Sequence, residues 1–237
     1  MGIPDSLEYF FLAIVLAASV LCAQAIRVSA PVVAQNLWTL RVLLACLLWL
    51  ALTGQVAHEG WLRTVDGVRS PLGILSLGAV VLVSVLAFSR FGRLLVERVG
   101  PAALVVFQTV RVPIEVFAHQ LYQGGYAPVQ ITYAGLNFDI FSGLTAPAMA
   151  WLVWRGKTWR AMLLFWNVFC LLLLFNMASL TALSLPTPLR LFANEPTNIF
   201  ITYPPFVWLP TFLLPLCLLG HLLVFRWLWW NRGSATV

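Results

Sequence analysis

The sequence predicts an all-α polytopic membrane protein, a bundle of seven transmembrane helices with its N-terminus outside and its C-terminus in the cytoplasm. Of the 237 residues, 61% are hydrophobic and 9% are charged, and the mean hydropathy is +0.91. Soluble domains are about 25% charged, so this composition excludes a soluble fold. Apolar segments of about 20 residues, the length that crosses a bilayer, recur along the whole chain. We therefore expect residues 1–237 to form one transmembrane domain.

Polar residues and prolines separate the apolar segments. Arg27 closes the first segment, and Pro71 opens the third at a first-turn position, where proline costs no hydrogen bond. Asn137 is predicted to cap the fifth helix, and Pro210 and Pro215 are predicted to kink the seventh. The seven predicted spans are residues 9–26, 35–57, 71–89, 101–123, 137–154, 161–185 and 205–230.

The distribution of Lys and Arg predicts the orientation. With the N-terminus outside, ten of these residues lie at cytoplasmic ends, three lie in outer loops and one lies within a span. Cytoplasmic loops are enriched in Lys and Arg, so this bias favours an odd number of spans. It also explains the net charge of +6 without a nucleic-acid partner. The cytoplasmic set is Arg27, Arg41, Arg90, Arg93, Arg98, Arg155, Lys157, Arg160, Arg226 and Arg232, and the outer set is Arg63, Arg69 and Arg190.

The fourth predicted span carries a stripe of polar side chains. Gln108, Arg111, Glu115, His119 and Tyr122 recur at spacings of three and four, which places them on one face of a helix. Arg111 lies about 15 Å from the start of the span, near the bilayer centre. A lone charge there costs at least about 2.5–3.5 kcal/mol, so we expect the stripe to face the bundle interior or a wet cavity. Glu115 is the expected partner of Arg111. The stripe is either a functional site or an ion pair that only fixes helix packing.

Two further polar residues are predicted to reach the same region. Asp139 begins the fifth span, where it is either a favourable charge at a helix N-terminus or a second acid that shares Arg111 or His119. Asn176 lies about 24 Å along the sixth span, toward the outside. Gly143 on the fifth span is expected to allow a close approach between helices.

The sequence predicts neither a metal site nor a cofactor. His119 and His221 are expected near opposite ends of the bundle, which prevents them from binding one haem iron. The four cysteines fall inside apolar segments without paired spacing, as is typical of buried small side chains. No lysine lies in the seventh span, so a retinal Schiff base has no attachment point.

Five short motifs stand out in the second half of the chain. They are R-V-P-I-E at 111–115, N-F-D-I-F-S-G-L-T-A-P at 137–147, W-N at 166–167, L-S-L-P-T-P at 183–188 and P-F-V-W-L-P at 205–210. Together they resemble a family of uncharacterised bacterial multi-span membrane proteins, over roughly residues 100–230. The resemblance implies a bacterial cytoplasmic (inner) membrane location, and it implies no activity and no catalytic residue.

Three functions fit these patterns. The first is binding or proton-coupled translocation of a small, anionic molecule through an outward-facing polar chamber lined by Arg111, Glu115, His119 and Asp139. The second is a sensor or assembly subunit that works with another membrane protein. The third is an intramembrane enzyme acting on a lipid, for which the sequence offers no convincing nucleophile. The expected partners are therefore the lipid bilayer, a small-molecule ligand and a membrane protein.

Overall fold

A computed structural model describes residues 2–63 and 70–231, and within these ranges the chain forms nine α-helices and no β-strand. The all-helical prediction is confirmed. Arg69 and Arg232, which were counted in the distribution of Lys and Arg that predicts the orientation, lie outside the described residues. The helices are α1 Asp5–Ser29, α2 Gln35–His58, α3 Pro71–Phe88, α4 Arg90–Val99, α5 Pro101–Val106, α6 Arg111–Gln123, α7 Ile140–Trp154, α8 Arg160–Leu183 and α9 Leu214–Trp230.

Six helical segments are long and apolar enough to cross a membrane, as expected of a multi-pass membrane protein. The fifth predicted span corresponds to α7, which has only 15 residues and is about 22 Å long. The ten-residue helix α4, not predicted as a separate element, carries charged and apolar residues on opposite faces. The six segments are Asp5–Ser29, Val32–His58, Pro71–Phe88, Pro101–Gln123, Arg160–Leu183 and Leu209–Trp230.

The fourth predicted span is one segment with a local irregularity. Between α5 and α6, Phe107–Val110 form a 3₁₀ turn. Pro113 has no backbone N–H to bond the carbonyl of Thr109, and its ring crowds that carbonyl. The chain therefore tightens into 3₁₀ geometry over the turn that comes directly before Arg111.

A proline also explains the irregular start of the last span. Leu209–Leu213 form a π-helical turn just before Pro215, where the sequence predicts a kink. Pro215 cannot donate to the carbonyl of Thr211, four residues earlier. The indole Nε1–H of Trp49 on α2 donates to that carbonyl instead, at 3.0 Å. The carbonyl that the proline leaves without a backbone donor thus connects α2 to the π-helical turn before α9.

Trp49→Phe is expected to lower the free energy of unfolding by about 1–3 kcal/mol, because the buried carbonyl of Thr211 loses its donor. The measurement is unfolding in mild detergent, followed by circular dichroism. Trp159→Phe is the control, since Trp159 is 73% exposed. Equal stability of the two variants would contradict the role of the Trp49 bond.

Several helix ends meet at one end of the bundle. The guanidinium of Arg226 on α9 donates to the carbonyls of Ala87 and Ser89, where α3 turns into α4. Arg160 at the start of α8 donates to the carbonyl of Asn231, just after α9. One apolar cluster at this end includes residues from the ends of α1, α3, α7 and α9, and from α4 and the start of α8. We call this the basic end, because nine Lys and Arg residues lie there: Arg27, Arg41, Arg90, Arg93, Arg98, Arg155, Lys157, Arg160 and Arg226.

A second apolar cluster fills the other half of the bundle. In the last span, Leu213 just before α9 belongs to this cluster, and Leu223 on α9 belongs to the cluster at the basic end. On α8, the corresponding pair is Met177 and Cys170. Along the axis of the bundle, Arg111 lies between the two clusters, so its charge has apolar packing on both sides.

Candidate functional site

Arg111 is the centre of a buried polar cluster that joins four helices. Its side chain is 1% exposed. Its Nη1 donates to Asp139 Oδ1 at 2.8 Å and to the backbone carbonyl of Cys170 at 3.1 Å. Its Nη2 lies 3.0 Å from His221 Nε2. We name Arg111, Asp139, His221 and Asn167 the Arg111 cluster; it links α6 to the start of α7, to α8 and to α9.

The expected pairing of Arg111 with Glu115 is wrong, because the buried ion pair is formed with Asp139. Side chains on a helix lean toward its N-terminus. The long Arg111 side chain therefore leans away from Glu115, which follows it on the same helix, and reaches the neighbouring helices. Of the two hypotheses for Asp139, the structure agrees with the pairing to Arg111, and the Asp139 carboxylate makes no capping bond at the start of α7.

His221 is held as a neutral imidazole by its hydrogen bonds. A guanidinium only donates, so Nε2 of His221 accepts from Arg111 and the ring proton lies on Nδ1. Nδ1–H donates to Asn167 Oδ1 at 2.7 Å, and Asn167 Nδ2 donates to the backbone carbonyl of His221 at 3.2 Å. Both ring nitrogens are thus engaged. The expectation that His221 lies near the inner end is wrong, since it lies at the level of Arg111.

His221 and Asn167 are the members of the Arg111 cluster that the sequence did not predict as site residues. Each is completely buried within a long apolar helix. An ionisable side chain inside a membrane segment is by default a candidate for a functional or structural cluster. That rule, applied to α9 as it was applied to the fourth span, would have found His221.

Glu115 is bound by an amide rather than by a cation. Asn137 Nδ2 donates to both carboxylate oxygens, at 2.8 and 2.9 Å, and to the carbonyl of Ile131 at 2.9 Å. Asn137 Oδ1 accepts from the backbone N–H of Asp139 at 3.1 Å. The prediction that Asn137 caps the fifth helix is wrong in detail, because Asp139 is the N-cap residue of α7. Asn137 instead connects the carboxylate of Glu115 to the backbone N–H of Asp139.

Gly143 lets α7 approach α6 closely, as the sequence predicts. A Cβ at this position would lie 2.7 Å from Val112 Cγ2 and 2.9 Å from the Val112 backbone nitrogen. Beside it, Ser142 Oγ donates to Asp139 Oδ1 at 3.2 Å. This close approach brings the Asp139 carboxylate within reach of Arg111.

Gln108 is also buried, and it contacts α9. Its Nε2 donates to the carbonyl of Cys217 at 3.1 Å. Gly220, one turn further along α9, faces the same amide, and a Cβ there would lie 2.5 Å from Gln108 Nε2.

Gly220→Ala is expected to destabilise the protein by about 1 kcal/mol, because the Gln108 amide must move away from the added methyl group and lose its bond to the carbonyl of Cys217. The double variant Gln108→Ala/Gly220→Ala removes the overlap and is expected to be more stable than Gly220→Ala alone. Thermal unfolding in mild detergent measures both. If Gln108→Ala brings no recovery, the two residues do not contact each other as described.

The other residues predicted for the site, two from the stripe and Asn176 from the sixth span, lie apart from Arg111. His119 is half-buried, and its ring stacks on Tyr133 with centroids 4.4 Å apart. Tyr122 is 38% exposed. Asn176 is half-buried and donates to the carbonyl of Leu136 at 2.9 Å. The stripe therefore has two parts. Gln108, Arg111 and Glu115 are buried, whereas His119 and Tyr122, nearer the end of α6, are half-buried or exposed.

Two cavities matter for binding. The first, beside Arg111 and Asp139, has a volume of about 10 Å³. A water molecule needs about 10–15 Å³, so this void has no room for a ligand. The second has a volume of about 870 Å³ and lies toward the basic end, between α1, α2, α3, α4, α5 and α9. We call it the apolar cavity.

The apolar cavity is lined almost entirely by hydrocarbon. None of the described residues that line it is charged. It opens sideways onto the lateral surface of the bundle, where Leu21 and Leu82 in its wall are both 48% exposed. The side chains of Phe91, Leu95 and Val99 on α4 contribute to the wall at the basic end.

Comparison of the chain with protein-family models, with curated proteins and with solved structures finds no match. The function is therefore argued from the geometry of the Arg111 cluster and the apolar cavity.

Proposed function

We propose that the chain is a seven-span protein of the bacterial inner membrane, N-terminus out and C-terminus in, that binds a small amphipathic molecule taken from the bilayer. The charge distribution supports this orientation, since the basic end holds nine Lys and Arg residues and the positive side of membrane proteins is cytoplasmic. In this proposal α7 is the additional span that raises the number from six to seven, and the residues before α7 supply the length that it lacks.

The observation that carries the binding function is the apolar cavity. Its volume of about 870 Å³ falls within the range of ligand pockets, about 300–1,000 Å³. A hydrophilic solute would lose its hydrogen bonds to water in such a cavity, which disfavours free polar ions or metabolites. A molecule with a long hydrocarbon part needs no such bonds. It enters sideways from the lipid through the opening near Leu21 and Leu82.

The Arg111 cluster has a different role in this proposal. Nη1 and Nη2 of Arg111 and both ring nitrogens of His221 are bonded within the protein, whereas the buried Arg111 Nε–H has no partner among the described residues. The void beside Arg111 is about 10 Å³. Translocation of an anion past Arg111 would require α6 to α9 to separate and the Asp139 pair to break. We therefore assign to the cluster the joining of these helices, and to the cavity the binding of the ligand.

Filling the cavity tests the binding function. Ala45→Trp/Ala103→Trp places two indoles in the cavity wall, and Ala51→Trp/Ala161→Trp places them at exposed positions outside it. The probe is a neutral diacylglycerol with a diazirine on one acyl chain, photolysed with the protein in vesicles. We expect the first variant to reduce labelling of cavity peptides at least fivefold and the second to leave it unchanged.

Equal labelling of the two variants would overturn the binding function. If, in addition, the purified chain retained another membrane protein in a fixed ratio, the assembly-subunit hypothesis would replace it.

A further inference from the structure

Three arginines at the basic end lie next in sequence to residues that line the apolar cavity. Arg27 lies in the last turn of α1, Arg41 in the second turn of α2, and Arg90 begins α4. All three are exposed. Among the residues that the structure describes, no carboxylate forms an ion pair with any of them. Arg41 instead lies over the ring of Trp38, at 5.6 Å.

Each of these arginines is the chain neighbour of a residue in the cavity wall. Val28 follows Arg27, Val42 follows Arg41, and Phe91 follows Arg90, and all three apolar residues line the cavity. We call Arg27, Arg41 and Arg90 the rim, because each lies one residue from the cavity wall, at the end of the bundle that carries the positive charge.

The start of α4 is held in place, which fixes the position of Arg90. Ser89 Oγ accepts from the backbone N–H groups of Phe91 and Gly92, at 3.1 and 3.3 Å, and so caps the helix. The carbonyls of Ala87 and Ser89 accept from Arg226.

The acidic groups near the rim are few. Glu97 on α4 is the carboxylate described at the basic end, and it is paired with Arg93 at 2.8 Å. Among the described residues, no unpaired carboxylate at the basic end therefore competes with an anion for Arg27, Arg41 and Arg90.

In a bilayer, any preference of the cavity for one lipid over another must come from the lipid head group. An acyl chain that leaves the lipid for an apolar cavity exchanges one hydrocarbon environment for another, so its burial contributes little to affinity. Basic residues near the membrane surface, in contrast, attract anionic head groups. Arginine also donates bidentate hydrogen bonds to phosphate. A ligand that the cavity distinguishes from bulk lipid must therefore be recognised by its head group.

We propose that the apolar cavity holds the acyl chains of an anionic phospholipid, and that Arg27, Arg41 and Arg90 bind its phosphate-containing head group. This inference rests on the proposed binding function, and it names the ligand class. The lipid enters sideways, its chains lie along α1, α2 and α3, and its phosphate stays at the surface with the arginines.

The test measures lipid retention by native mass spectrometry after extraction from nanodiscs. The nanodiscs contain phosphatidylglycerol and phosphatidylcholine with identical acyl chains, in equal amounts. The variant Arg27→Gln/Arg41→Gln/Arg90→Gln is compared with Arg155→Gln/Lys157→Gln/Arg160→Gln, which removes the same charge at the same end of the bundle.

We expect the wild type to retain at least ten times as much phosphatidylglycerol as phosphatidylcholine. The first variant is expected to lose that preference. The second variant is expected to keep it, because none of its three sites adjoins a cavity-lining residue. An absent preference in the wild type, or equal behaviour of both variants, would overturn the proposal. If the triple variant does not fold, Arg41→Gln is compared with Arg155→Gln, and equal retention again overturns it.

The Ala45→Trp/Ala103→Trp variant separates this inference from the proposed function. If it loses both lipids while the arginine variants do not differ, the cavity binds lipid without reading the head group, and only this inference fails. If it retains both lipids as the wild type does, the cavity is not the binding site, and both proposals fail.

Discussion

Asp139→Leu is expected to lower the free energy of unfolding by about 3–5 kcal/mol, because it leaves the Arg111 guanidinium buried without its counter-charge. The side chains of this pair are 1% and 4% exposed, so water cannot replace the lost carboxylate. The measurement is unfolding of the purified protein by SDS titration in mixed micelles, followed by circular dichroism.

Removing both charges provides the decisive comparison. Arg111→Met/Asp139→Leu is expected to recover more than half of the loss, since apolar groups of similar volume often replace a buried pair at little cost. Arg111→Met/Glu115→Leu is the contrasting variant. It leaves Asp139 buried and unpaired, so we expect it to be clearly less stable than Arg111→Met/Asp139→Leu. The opposite order of stabilities would show that Glu115 is the partner after all.

Gly143→Ala is expected to destabilise the protein by about 1–3 kcal/mol, because the added methyl overlaps the backbone nitrogen and side chain of Val112. The backbone cannot rotate away as a flexible side chain could, so α7 must move from α6 and carry Asp139 with it. The measurement is the same detergent unfolding.

Gly78→Ala is the matched control, because a Cβ at Gly78 of α3 meets nothing within 4 Å. Alanine is the better helix former by about 0.5–1 kcal/mol, so this variant is expected to be slightly more stable than the wild type. If both glycine variants were neutral, α6 and α7 would not be in the close contact that forms the Arg111 cluster.

Much of the fold follows from local features of the sequence. The start of α2 at Gln35, the start of α3 at Pro71 and the end of α6 at Gln123 agree with the predicted spans, because polar residues, prolines and glycines end apolar segments wherever they occur. The fifth predicted span ends at Trp154 as predicted, but its helix begins only at Ile140. Asn137 and Asp139 make tertiary hydrogen bonds there, and these bonds keep the preceding residues out of the helix.

The partners of the buried polar residues were less predictable. Helical spacing shows that Arg111 and Glu115 share a face, but it does not show that Arg111 points away from Glu115 toward Asp139 and His221. That choice depends on which helices pack around α6 and on the close approach at Gly143. The apolar cavity could not be predicted from the sequence, because Ala45 and Leu82 in its wall cannot be told apart in the sequence from apolar residues that face lipid.

The sequence by itself determined the all-helical membrane character, most helix boundaries and the separation of charge along the chain, because each depends on composition and on residues close together. Only the tertiary structure decided which acid pairs with Arg111, that His221 and Asn167 join it, and that an apolar cavity lies toward the basic end. These features depend on how separate helices pack against each other, and the apolar periodicity of one helix does not specify its neighbours.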